Sequence, residues 1–147
     1  MIEVSQLQRD NILSAKAMWL KIPAKNVVPD LCSWRALSEK NKFKAPDCDT
    51  VACFGGWCAW HPAFMAQGLQ TSAGGAPFFN DQKRLQQGEE VCYRLFGDVA
   101  LFAARSTNPV DKSTARRNAK AFKAMSDWQL VMNRIDHLIT NSSVTKD

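Results

Sequence analysis

The sequence predicts a mostly α-helical protein, and three observations predict it. Apolar residues recur at three- and four-residue spacing in several segments. Two of those segments open on a serine followed three residues later by glutamine, Ser5/Gln8 and Ser126/Gln129. No alternating apolar–polar run of useful length and no internal repeat is evident. The expectation is a single domain over residues 1–140: a compact bundle of about five or six helices around a buried central helix at about 50–66. Residues 141–147 are expected to fray.

The first helix is expected to start at Ser5, because a Ser-x-x-Gln capping box satisfies free backbone N–H groups at both of its ends. Ile12, Ala15, Trp19 and Ile22 follow on one face, and Pro23 supplies a stop. The stretch PAKNVVPDLCSWRALSEKNKFKAPD is irregular. Val27, Val28, Leu31 and Trp34 are its candidate core residues, and Lys40, Lys42 and Lys44 surround Phe43 in an exposed portion.

Residues 48–64, CDTVACFGGWCAWHPAF, form the densest stretch, with three of the five cysteines, one of the two histidines and two of the five tryptophans. Read as a helix capped by Asp49 or Thr50, it sorts into three stripes. Cys53, Trp57, Trp60 and Phe64 share one face. Ala52, Gly56, Ala59 and Ala63 form a small-residue face, and Phe54, Cys58, His61 and Met65 form the third. A helix without a polar face is buried on most sides. Cys53, Gly56, Trp57, Trp60 and Phe64 are therefore the expected structural core.

GLQTSAGGAPFFN is expected to be a loop, with Asn80 capping a helix that runs to Phe96 and stops at Gly97. A short helix, VALFAAR, follows Asp98. STNPVDKS is a loop, residues 114–125 are a basic helix, and a new helix begins at Ser126 with Trp128, Val131, Ile135 and Leu138 as its core stripe.

Composition narrows the function classes. Hydrophobic residues make up 46% and charged residues 22%, a globular mixture. No apolar run approaches the ~20 residues of a membrane span. The start, MIEVSQLQRDNIL, lacks a basic segment followed by an apolar one, so a secretory signal is not expected and the cysteines are expected reduced in a cytoplasm. The formal net charge of +5 favours acidic partners.

The residues C-D-T-V-A-C-F-G-G-W-C resemble an uncharacterised family of small phage and bacterial proteins marked by Cys-Gly-Thr-x-Ala-Cys and then Gly with Trp or His. Cys48, Thr50, Ala52, Cys53, Gly56 and Trp57 match, with Asp49 in place of the glycine. RLFGDVALF, residues 94–102, is similar to a downstream segment of that family. The resemblance implies a phage or prophage context and no particular activity.

Candidate sites follow from residue chemistry. Cys58 and His61 share a helix face and are the candidates for zinc ligation, but zinc motifs place a second ligand pair well downstream, which argues for buried thiols instead. Cys48, just before the expected helix, or Cys58, one turn from His61, would be the candidates for thiol catalysis, yet neither sits in a known catalytic signature and no orienting carboxylate for His61 is evident. No phosphate-cradling glycine loop, His-Glu-x-x-His motif or serine elbow is found. The remaining lead is basic: Arg105, Lys112, Arg116, Arg117, Lys120 and Lys123, against the single acid Asp111. Arg116, Lys120 and Lys123 would share one face of a continuous helix.

The expected function is a non-enzymatic, phage- or prophage-encoded accessory protein without cofactor. It would act in the cytoplasm of the bacterial cell by binding, and inhibiting, a host or defence protein. The alternative is nucleic-acid or nucleotide binding through residues 105–123. A thiol or zinc enzyme is the third reading, and no membrane partner is expected.

Overall fold

The computed structural model describes residues 1–21, 28–29, 51–52, 54–71, 76–81, 84–103, 109–124 and 126–145. Helix predominates among them. In chain order the elements are β1 (Ile2–Val4), α1 (Gln6–Leu20), β2 (Val28–Pro29), β3 (Val51–Ala52), α2 (Phe54–Cys58), α3 (Pro62–Met65), β4 (Gln70–Thr71), β5 (Pro77–Asp81), β6 (Arg84–Gln87) and α4 (Glu89–Phe96). A 3-10 turn at Ala100–Phe102, α5 (Pro109–Arg117), α6 (Ala119–Ala124), α7 (Asp127–Asn141) and β7 (Ser142–Val144) complete the chain. No helix among the described residues is long and apolar enough to cross a membrane.

Local chemistry sets the ends of the long helices. Ser5 Oγ accepts from Gln8 N at 3.1 Å while Gln8 Oε1 accepts from Ser5 N at 2.8 Å, so the capping box starts α1 where expected. Ser126 and Gln129 repeat the arrangement at 3.2 Å in both directions and start α7. Gly97 ends α4 in the left-handed conformation, φ 78°, with its N–H on Tyr93 O at 2.8 Å. Glycine adopts that conformation without the clash a Cβ would bring.

The two long helices run antiparallel and carry much of the core. Ile12, Ala15 and Trp19 of α1 are buried, as are Leu130, Val131, Ile135 and Leu138 of α7, with Trp128 packed against them. The indoles of Trp19 and Trp128 exchange hydrogen bonds: each Nε1–H donates to the other's backbone carbonyl at 2.9 Å. One acceptor lies in the last turn of α1, where the helix runs out of its own N–H groups. At the other end of the seam, Arg9 Nη1 donates to Ile139 O and to Ser142 Oγ, both at 2.9 Å.

Four expectations are corrected. The central helix over 50–66 is not continuous. Its first residues, Val51–Ala52, pair in parallel with Val28–Pro29, and the helical part is split into α2 and α3. Pro62 is the cause: proline has no N–H and its ring clashes inside a helix, and it drives the preceding residue to extended backbone. His61 accordingly has φ −79° and ψ 127° and caps α3 instead of continuing α2.

Secondly, the helix expected from Asn80 starts only at Glu89, and Asn80 itself lies in a strand. Phe78 to Asp81 pair antiparallel with Gln87 to Arg84, and β4 adds a third strand through Gln70↔Phe78 and Thr71↔Pro77. Phe79 on this hairpin is buried, and its burial holds the sheet on the core. Gly88, at φ 54°, separates strand from helix.

Thirdly, residues 142–144 are ordered. They form a parallel ladder with Ile2–Val4, and Thr145 N donates to Val4 O at 2.9 Å. The Arg9 contacts with Ile139 and Ser142 occupy the end of α7, so the chain leaves it extended along β1. Lastly, the basic helix expected over 114–125 is two helices, as described below. The fold is mostly helical with three small sheets among the described residues, and not a pure bundle.

The core residues named from the sequence fall as follows. Gly56, Trp57 and Phe64 are buried, and Trp60 is half-buried. Cys53 lies outside the described residues, as do Ile22, Pro23, Leu31, Trp34, Cys48 and the segment with Lys40, Lys42, Phe43 and Lys44. Every residue from Phe54 to Ala59 is buried, whichever way it faces, because α2 is enclosed. Phe54 is the hub of an aromatic cluster: its ring centroid is 5.3 Å from Trp19, 5.8 Å from Phe96 and 6.1 Å from Phe102. Phe64 meets Phe96 edge to face at 5.6 Å.

A buried polar tie crosses this apolar centre. Asn11 and Gln67 exchange amide hydrogen bonds at 3.0 and 2.7 Å, Asn11 Nδ2 also donates to Leu95 O at 2.9 Å, and Gln67 Nε2 donates to Ala63 O at 3.0 Å. The tie joins α1, α4 and the end of α3 with every amide group satisfied, which avoids the desolvation cost of a buried orphan.

Gly97 offers a direct test of this packing. A Cβ there would lie 2.7 Å from Val4 Cγ1 and 3.1 Å from Gln8 Oε1, in a backbone conformation unfavourable to other residues. Gly97→Ala should destabilise the protein by about 1–3 kcal/mol. Denaturant unfolding that leaves the midpoint unchanged would contradict the packing of β1 against the end of α4.

Candidate functional site

The basic segment is built from α5 and α6. Asn118 divides them: its N–H bonds Thr114 O at 2.8 Å as the last turn of α5 closes, and its Oδ1 accepts from Ala121 N at 3.0 Å and caps α6. Asparagine competes with the helix backbone through its own short side chain, so it favours such a restart. Arg116 and Lys120 therefore stand on two successive helices, and the single continuous stripe expected from the sequence is interrupted. Lys112, Arg116, Arg117 and Lys120 are exposed. Arg105 lies outside the described residues, and at Lys123 only the backbone, within α6, is described.

Asp111, the one acid of the segment, faces inward. It is buried and paired with Arg134 of α7, whose side chain is likewise fully enclosed. Arg134 Nε and Nη2 both donate to Asp111 Oδ2, and Nη1 donates to Ala103 O at 2.7 Å. Three parts of the chain, α5, α7 and the residue after the 3-10 turn, are thus held by one guanidinium. Asp111 Oδ1 has no hydrogen-bond partner among the described residues. A buried ion pair of this kind adds little net stability relative to apolar residues, but losing one partner strands a buried charge.

The pair is not legible in the sequence, where Arg134 reads as an ordinary charged position on α7. Its consequence for the surface is direct. With Asp111 turned inside, the exposed cations of α5 and α6 have no acid from their own segment beside them.

Cys58 and His61 fall on two different helices, Cys58 at the end of α2 and His61 as the cap of α3. Cys58 is buried in α2, while His61 is half-buried at the start of α3. His61 Nδ1 accepts from Ala63 N at 3.1 Å, so the ring serves as the helix cap, with its proton on Nε2, and it packs 4.8 Å from Phe64. Burial, and then the charge of Lys21, lower its pKa. Among the described residues no group of three or more His, Cys, Asp or Glu side chains is placed to hold a metal. Cys92 is fully buried, and burial pushes its thiol well above the ordinary range, which disfavours the reactive thiolate.

A groove of about 380 Å³ lies against α4 and β6, lined by Arg84, Gln86, Glu89, Glu90, Tyr93, Arg94 and Val99. Its cations are engaged. Arg84 pairs with Glu90, and Arg94 bonds Gln86 Oε1 at 2.9 Å while lying 3.9 Å from the Phe79 ring centroid. Among the described residues this lining carries two cations and two acids, in contrast to α5 and α6.

Two measurements test these assignments. Arg134→Met should cost about 3–5 kcal/mol, because Asp111 is left buried and unpaired, and adding Asp111→Leu should recover much of that loss. Denaturant unfolding of the single and double variants gives both numbers, and an additive double variant would contradict the pair. For His61, the folded protein disfavours the charged ring relative to the unfolded chain, whose value is 6.5. Its contribution to stability is therefore complete above pH 6.5 and is lost as the pH falls through the lower folded value. His61→Asn keeps a good helix cap without the titration. Its melting temperature should fall less steeply below pH 6.5 than that of the parent.

Comparison with family models, with curated proteins and with solved structures gives no match to this chain.

Proposed function

We propose that this protein is a non-enzymatic accessory module of phage or prophage origin that acts in the bacterial cytoplasm. It binds, and thereby inhibits, a host or defence protein through the basic surface of α5 and α6. One observation carries the choice of surface: Lys112, Arg116, Arg117 and Lys120 are exposed while Asp111, the only acid of their segment, is buried against Arg134. A surface with one sign of charge steers an oppositely charged partner and rejects others of like charge. The phage context is supported by the likeness of residues 48–57 to the small phage and bacterial family.

The same cations suit phosphates, so nucleic acid is the rival partner, and salt dependence separates the two. On a nucleic acid, each phosphate left without its cation lowers the slope of log affinity against log salt by about one. An acidic protein partner responds more mildly, mainly through slower association.

Lys112, Arg116 and Lys120 changed together to glutamate should leave the melting temperature nearly unchanged, since exposed charges contribute little to stability. Partner capture from nuclease-treated bacterial lysate should be abolished. Undiminished capture by this variant would remove α5 and α6 from the interface and turn attention to the segment from Gly68 to Phe79.

A further inference from the structure

A groove of about 220 Å³ runs between α5 and α7, lined by Val110, Ser113, Arg117 and His137. Val110, Ser113 and Arg117 sit at helical spacing on one face of α5, and His137 faces them from α7. We propose that this groove is a binding site for a phosphomonoester, with Arg117, Ser113 and His137 as its three donors and Val110 as the wall for the ester's carrier. The proposal deepens the preceding reading and rests on it in one respect: Arg117 belongs to both surfaces.

The tautomer of His137 follows from its neighbour. Asn141 Nδ2 lies 2.9 Å from the carbonyl of His137, which only an NH₂ group can approach as a donor. The amide is thereby oriented, and the same Nδ2 lies 3.2 Å from His137 Nδ1. Nδ1 is then the acceptor, so the neutral ring carries its proton on Nε2, across the ring from Asn141. That N–H, the Ser113 hydroxyl and the Arg117 guanidinium have no hydrogen-bond acceptor or ion-pair partner among the described residues.

The electrostatics favour an anion. Among the described residues, none that lines the groove is acidic. The nearest acids in sequence are both engaged: Asp111 is buried against Arg134, and Asp136 pairs with Lys16 at 2.8 Å. A guanidinium with a hydroxyl and an imidazole N–H matches the several acceptor oxygens of a phosphoryl group, and its bonds to phosphate are charge-assisted and can be bidentate. At about 220 Å³ the groove is larger than a single tetrahedral group. A phosphoryl group with part of its carrier, such as a nucleoside monophosphate, fills it better than inorganic phosphate alone.

Titration of the ¹⁵N-labelled protein with adenosine monophosphate, and separately with inorganic phosphate, in 150 mM NaCl tests the site. The expected result is saturable shifts at Ser113, Arg117 and His137, tighter for the nucleotide. Arg117→Ala and His137→Ala should each weaken binding at least tenfold, His137→Gln, which keeps a donor, should restore part of it, and Lys112→Ala should change it less than twofold. Shifts spread equally over Lys112 and Lys120, or shifts that do not saturate, would mean a diffuse ion atmosphere and overturn the site. The macromolecular reading fails separately. The His137→Ala variant keeps Lys112, Arg116, Arg117 and Lys120, so it should still capture the partner while binding the nucleotide at least tenfold more weakly. A parent protein that captures its partner but does not bind phosphomonoesters overturns the groove alone.

Discussion

The antiparallel seam between α1 and α7 is the constraint on which the other elements depend. Trp19 and Trp128 close one end of it by exchanging indole hydrogen bonds, and Arg9 closes the other at Ile139 and Ser142. Between them lie the fully buried Ile12, Ala15, Val131, Ile135 and Leu138. Lys16 and Asp136 add a partly exposed ion pair across the seam, a minor term beside that burial. Because the two helices lie close to the chain ends, the seam also brings β1 and β7 together.

Around this seam the densest part of the sequence is structural. Phe54, Trp57, Cys58 and Phe64 fill the space between α1, α4 and the 3-10 turn, and the aromatic contacts of Phe54 run to Trp19, Phe96 and Phe102. Enclosure accounts for Trp57 and Cys58 there. Among the described cysteines, Cys58 and Cys92 are buried thiols outside any disulfide. His61 takes part as a neutral helix cap, a role that burial favours by disfavouring the imidazolium.

The Arg134–Asp111 pair links this core to the surface that the functional reading relies on. It fixes α5 to α7 and to Ala103 through one guanidinium. Removing the only acid of the basic segment from the surface leaves the cations of α5 and α6 unopposed by their own neighbours. The same docking of α5 on α7 creates the groove in which Arg117 and Ser113 meet His137. An ion pair that adds little to net stability thus accounts for both the charge and the shape of this face.

The amino-acid sequence by itself determined the features that depend on residues a few positions apart. Ser5 with Gln8, Ser126 with Gln129, and Gly97 mark helix ends because capping is a local exchange of hydrogen bonds. The break at Pro62 is equally local: proline forbids the continuous helix that the apolar stripes suggest, and its backbone constraint outweighs them. The hairpin at 77–87 carries one buried aromatic, Phe79, in a short run too weakly alternating to declare a strand. Tertiary structure alone decided what distant residues do. Nothing near Ile2 or Ser142 predicts their ladder, because the seam brings them together from 140 positions apart. Asp111 and Arg134 each read as a solvated charge until helix packing removes both from water, and burial then makes each the other's necessary partner.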